Sequence, residues 1–134
     1  MTSLYNDSYY WRVRGVDELG NIGPYSETRG FVADTDVDVV AFVQPAAGHE
    51  TTNVTLTVSW SQLADSVGID SYVIEVTNDL TFSNALVYND TLFDTLLSDT
   101  LTNLYNDTYF WRMMAIDGLA NRGTYGETRG FVVD

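Results

Sequence analysis

Apolar and polar side chains alternate along much of the chain. In VTLTVSWS (54–61), Val54, Leu56, Val58 and Trp60 share one side, and Thr55, Thr57, Ser59 and Ser61 share the other. Successive side chains of a strand point to opposite faces, so this period of two predicts a half-buried strand. YVIEVT (72–77) repeats the pattern, with Tyr72, Ile74 and Val76 opposite Val73, Glu75 and Thr77. TYFWRMMAID (108–117) places Tyr109, Trp111, Met113 and Ala115 on one face and Phe110, Arg112, Met114 and Ile116 on the other. The segments PAAG (45–48), TND (77–79), YND (88–90 and 105–107) and DGLANRG (117–123) separate these runs. Their Gly, Pro, Asn and Asp residues read as turns. No stretch carries the apolar period of a helix. About seven short strands punctuated by turns predict an all-β, antiparallel two-sheet sandwich.

The pattern also repeats. A shift of 100 residues aligns 2–34 with 102–134 without a gap, and twenty of the 33 positions are identical. The matches include Leu4/Leu104, Tyr5/Tyr105, Asn6/Asn106, Tyr9/Tyr109, Trp11/Trp111, Arg12/Arg112, Asp17/Asp117 and the run ETRGFV at 27–32 and 127–132. Internal repeats divide a chain before any other signal does. Residues 35–134 form one full period, and 1–34 match the closing third of a period, its last two strands.

Composition narrows the classes of function. The chain of 134 residues carries 19 Asp plus Glu against 6 basic residues, a net charge of −13. All six basic residues are arginine. Such a balance argues against nucleic acids and anionic membrane surfaces, which are bound through basic patches. With no cysteine, disulfides, thiolate metal sites and cysteine nucleophiles are excluded. No apolar run reaches the ~18 residues of a membrane-spanning helix.

Residues 35–134 resemble a fibronectin type III domain, and more narrowly those of prokaryotic surface and secreted proteins. The residues that carry the resemblance are VSW ending in Trp60, SYVIEVTND with Tyr72, LTFSNALVY, and LYNDTYFWRMMAIDGLANRG closing with GFVVD. Leu104, Tyr109, Trp111 and Phe131 fall in these segments and complete the fold-defining set. Two features depart from the family pattern: YND stands at the turn before the sixth strand, and DTDVDVVAFV at the first strand, where a proline-rich linker is usual. The resemblance implies an immunoglobulin-like sandwich. It also implies a tyrosine at the start of the sixth strand whose hydroxyl folds back on the preceding chain. Tyr9 and Tyr10 both fit that role in the first copy. The second copy keeps Tyr109 but has Phe110, so Tyr9 and Tyr109 are the corner residues.

Candidate chemistry is sparse. His49, the single histidine, sits in a turn segment without a nucleophile beside it, and no GxGxxG, P-loop, HExxH or GxSxG pattern occurs. The chain is therefore read as non-enzymatic, with no cofactor. Asp34, Asp36 and Asp38 in ADTDVD offer hard oxygen ligands for calcium, which Asp17 or Asp117 could supplement. The competing reading is a solvated linker whose charge discourages edge pairing. Asn6, Asn53, Asn89 and Asn106 stand in Asn-x-Ser/Thr sequons and are candidate glycosylation sites. Tyr10, Tyr25, Phe110 and Tyr125 are the aromatics that could stack on sugars, the basis of an alternative reading as a carbohydrate-binding accessory module.

The first hairpin poses a physical problem. Tyr9, Trp11, Val13 and Phe31 belong to the core face of a sandwich whose other strands are missing from 1–34. An isolated hairpin is marginal in water, and a bare aromatic face of several hundred Å² marks an interaction surface. Two readings stay open: the hairpin is one piece of a longer tandem array, or it completes another molecule by strand complementation. The function expected is a structural module of an extracellular or cell-surface repeat protein, such as a stalk, adhesin or filament. Its expected partners are itself, adjacent repeats and glycans.

Overall fold

The structure, a computed structural model, describes residues 4–134. It divides into two compact units, one ending at Thr35 and one spanning Asp36–Asp134. Among the described residues all regular structure is β-strand.

The first unit is a hairpin of β1 (Asp7–Trp11) and β2 (Arg29–Ala33), paired antiparallel with Tyr9 opposite Phe31. The second unit contains β3 (Phe42–Gln44), β4 (His49–Thr51), β5 (Leu56–Trp60), β6 (Ile69–Thr77), β7 (Tyr88–Phe93), β8 (Ser98–Leu101), β9 (Asp107–Asp117) and β10 (Arg129–Val133). One sheet runs β3-β5-β8 and the other β4-β10-β9-β6-β7.

The period-two faces meet between these sheets. Tyr72, Ile74, Val76, Trp111, Met113, Ala115 and Phe131 are fully buried, with Trp60, Leu104 and Tyr109 nearly so. Cross-strand neighbours on the inward face are Tyr72 with Ala115, Ile74 with Met113, and Val76 with Trp111. Phe42 stacks on Trp111 at 3.8 Å between centroids, and Trp60 meets Tyr72 edge-on at 5.7 Å. Such aromatic contacts add to area burial and fix how the sheets pack.

Four local expectations are corrected. The first strand does not run through 34–43; it is split into β3 and β4 around Pro45, which has no N–H to donate to a ladder. The chain crosses to the second sheet there, and β4 pairs parallel with β10, with Phe131 opposite His49. His49 is thus an exposed strand residue rather than part of a turn. YND at 88–90 is likewise no turn: Tyr88, Asn89 and Asp90 lie in β7 opposite Val76, Glu75 and Ile74. The turn falls earlier, where the Asp79 carboxylate accepts from the backbone N–H groups of Thr81, Ser83 and Asn84. Val54 lies ahead of β5 with its side chain exposed, although its carbonyl accepts from the Leu104 N–H at 3.0 Å.

Candidate functional site

Both hairpins build the same local structure. Tyr9 Oη donates to the Tyr5 carbonyl at 2.8 Å, and Tyr109 Oη donates to the Tyr105 carbonyl at 3.1 Å. In the second unit the Tyr105 N–H also donates back to Tyr109 Oη at 3.0 Å. Tyr9 stacks on Phe31 at 5.5 Å and Tyr109 on Phe131 at 5.3 Å. At the far end of each hairpin an aspartate organises the loop. Asp17 accepts from the Leu19 and Asn21 N–H groups and the Asn21 amide; Asp117 does the same with Leu119 and Asn121. The Asn21 side-chain bond, then the backbone bonds, hold the Asp17 carboxyl below its ordinary range. Burial pushes Asp117 up, but the bonds from Asn121 and Leu119 outweigh it and leave that carboxyl lowered too.

The two copies differ in what lies over them. Trp11 is 48% exposed, Val13 58%, Phe31 43% and Leu4 40%. Their equivalents Trp111, Met113 and Phe131 are at 0%, and Leu104 is at 4%. Tyr9, Trp11, Val13 and Phe31 therefore form an open apolar face on a two-stranded sheet. Trp11 of β1 lacks the neighbour that Trp111 finds in Val76 of β6.

The opposite face carries arginine–aromatic stacks that the alternation pattern does not reveal. The Arg12 guanidinium lies 3.7 Å from the Tyr25 ring centroid and Arg14 4.8 Å. In the second unit Arg112 sits 4.1 Å from both Phe82 and Tyr125 and pairs with Glu75 at 3.1 Å. Burial, followed by the hydrogen bond to Glu75, pushes the Tyr125 phenol up to about 12. A shallow groove of about 480 Å³ opens beside it, lined by Glu75, Asn89, Asp90, Arg122 and Tyr125 among others. The retention of Arg12/Arg112 and Tyr25/Tyr125 in both copies was the sequence signal for these stacks. Of the rings able to stack on sugars, Tyr25 and Tyr125 already hold guanidinium groups, Phe110 is half-buried and Tyr10 is 76% exposed.

The remaining candidates are dispersed. Asp34 accepts from the Asn6 amide at 3.3 Å in the first unit, whereas Asp36 and Asp38 lie exposed in the second, ahead of β3. The four sequon asparagines are exposed, with Asn89 in β7 and the others outside strands.

No family model matches the chain, and no curated protein does. Solved structures do. The FN1–FN3 domains of chicken CNTN1 share 18% identity at a TM-score of 0.57, covering 96% of this chain and 43% of that one. The fibronectin type III domain of human contactin 1 shares 16% at a TM-score of 0.58, over 76% of this chain and 82% of that one. A structure described as a myokine shares 21% at a TM-score of 0.51, over 72% of this chain and 98% of that one. The fold is that of a fibronectin type III domain, an immunoglobulin-like sandwich.

Proposed function

We propose that this protein is a non-catalytic structural module of an extracellular tandem-repeat protein, such as a surface stalk, adhesin or filament. Its first hairpin works by strand complementation, docking on the leading strands of a sandwich in a neighbouring repeat or subunit. One observation carries the reading: Trp111 and Phe131, buried in the second hairpin, recur in the same register as Trp11 and Phe31 on an open face in the first. A fully buried aromatic removes about 150–250 Å² from water, and Trp11 and Phe31 still expose 48% and 43%, so covering them favours association. The open edge of β1 offers backbone N–H and C=O groups to a partner strand, the mode by which strands add to sheets.

Complementation in trans is testable in the full chain. Trp111→Ala weakens the attached second hairpin without touching the strands that receive it. A peptide covering 102–134 should then raise the melting temperature of this variant in proportion to its concentration. A melting temperature indifferent to the peptide would refute the proposal.

A further inference from the structure

The hairpins are alike, but three of the positions where they differ lie in the core of the second unit. Met113, Ala115 and Val133 are buried to 1% exposure or less in the second unit, and the first hairpin has Val13, Gly15 and Ala33 at those places. Each replacement is smaller. Docked on strands like 36–101, the first hairpin would leave unfilled volume at three points of a close-packed core.

Two further differences run the opposite way. Gly118 packs against the Val67 segment, where an added Cβ would come within 3.0 Å of the Val67 carbonyl oxygen. Gly126 packs against Val39, where an added Cβ would come within 3.0 Å of the Val39 Cβ. The first hairpin carries Glu18 and Ser26 at these places. Contacts of 3.0 Å are tighter than nine in ten that real Cβ atoms make, so the neighbour must give way, and it is backbone in one case and a β-branched side chain in the other. On the outer face, Arg14 stands where Met114 pairs with Val73 of β6. The first hairpin is thus too small for the core of this acceptor and too large for its loops.

We propose that the open face is completed by a related but different half-sandwich rather than by residues 36–101 of a second copy. That partner has larger inward side chains facing Val13, Gly15 and Ala33. It leaves room beside Glu18 and Ser26, and it presents an acidic or hydrogen-bond-accepting residue across from Arg14. Arg12 keeps in this partner the role of Arg112, which pairs with Glu75 in the second unit. Association is thereby directional, since the acceptor strands of this chain discriminate against its own leading hairpin.

This inference rests on the complementation reading, and two measurements separate the two. In the Trp111→Ala full chain, a peptide of residues 2–34 should fail to raise the melting temperature at concentrations where the 102–134 peptide does so. The variant should also stay monomeric by sedimentation up to about 100 μM. Equal rescue by both peptides, or concentration-dependent polymers through the first hairpin, would show that a second copy is the occupant and overturn the inference. Rescue by neither peptide would overturn complementation itself, and a second variant then decides the mismatch alone. The full chain carrying Met113→Val, Ala115→Gly, Gly118→Glu, Gly126→Ser and Val133→Ala should melt at least about 15 °C lower, or fail to fold. A shift within about 3 °C would show that the acceptor tolerates the first hairpin's residues. The outward exchanges Thr108→Ser and Phe110→Tyr serve as the control and should leave melting unchanged.

Discussion

The two hairpins of this chain share a sequence and a register, yet one of them is open. Tyr9 faces Phe31 as Tyr109 faces Phe131, each corner tyrosine bonds to the carbonyl four residues back, and each aspartate loop closes on its asparagine. These features are local and arise from the hairpin's own residues. Strand length and burial behave differently. β9 runs the eleven residues Asp107–Asp117, with β6 paired along it, while β1 stops at Trp11 after five. The shorter strand goes with having β2 alone as a partner among the described residues, since both copies keep an alternating pattern to that point and beyond. A hairpin therefore encodes its own geometry, and the rest of the sandwich decides how far that geometry extends.

The sharpest way to break the comparison is to truncate the same residue in both copies. Trp111 is fully buried under Phe42 and between β6 and β10, so Trp111→Ala should destabilise the sandwich by about 3–5 kcal/mol. Trp11→Ala removes a half-exposed ring from the other unit and should move the same unfolding transition by less than about 0.5 kcal/mol. Urea denaturation followed by circular dichroism measures both. Equal losses would mean that the first hairpin is part of the same cooperative core.

The corner tyrosines offer a finer cut. Tyr109→Phe leaves the ring in place but deprives the Tyr105 carbonyl of a donor and its N–H of an acceptor. The expected cost is about 1 kcal/mol, the net worth of a hydrogen bond at a part-buried site. Tyr9→Phe removes a single bond at an exposed site, where water replaces the lost partner, and should leave the sandwich unchanged. Amide exchange at Tyr105 supplies the local readout: it should accelerate in Tyr109→Phe and stay as it was in Tyr9→Phe.

How much of this was legible in the chain follows from which interactions are local. The inward faces of β5, β6 and β9 could be read from alternation alone, since pleating fixes the period whatever the partner strand. The corner could be read from Tyr10 against Phe110, a substitution that removes a hydroxyl in only one of two adjacent positions. Tyr88-Asn89-Asp90 misled because its turn-forming residues are overruled by an available edge on β6. The division of the first strand at Pro45 was also hidden, since alternation carries no information on which sheet receives a strand. For the candidate surface, alternation named Tyr9, Trp11, Val13 and Phe31, and the exposed face follows from those residues. The stacks of Arg12 on Tyr25 and Arg112 on Tyr125 required the loop to fold back across thirteen residues, a distance no local pattern spans. The steric conflict at Gly126 needed the position of Val39, eighty-seven residues away.

The smallest contrast lies in the last strand of each hairpin. Arg29 pairs with Glu27 in β2's approach, with both side chains about two-thirds exposed. Arg129 pairs with Glu127 in the same way, but its side chain is only 15% exposed and its guanidinium also donates to the Pro45 carbonyl at 2.8 Å. An exposed pair is screened and contributes little, so Arg29→Ala should change neither unfolding free energy nor its salt dependence. Arg129→Ala removes the donor that ties β10 to the Pro45 corner, where the chain passes from β3 to β4, and should cost about 1–2 kcal/mol. Raising ionic strength should leave most of that difference intact, because the bond to Pro45 is held in a half-buried site. If the two alanine variants unfold together, the Pro45 contact contributes nothing, and the parallel pairing of β4 with β10 is maintained by its backbone bonds alone.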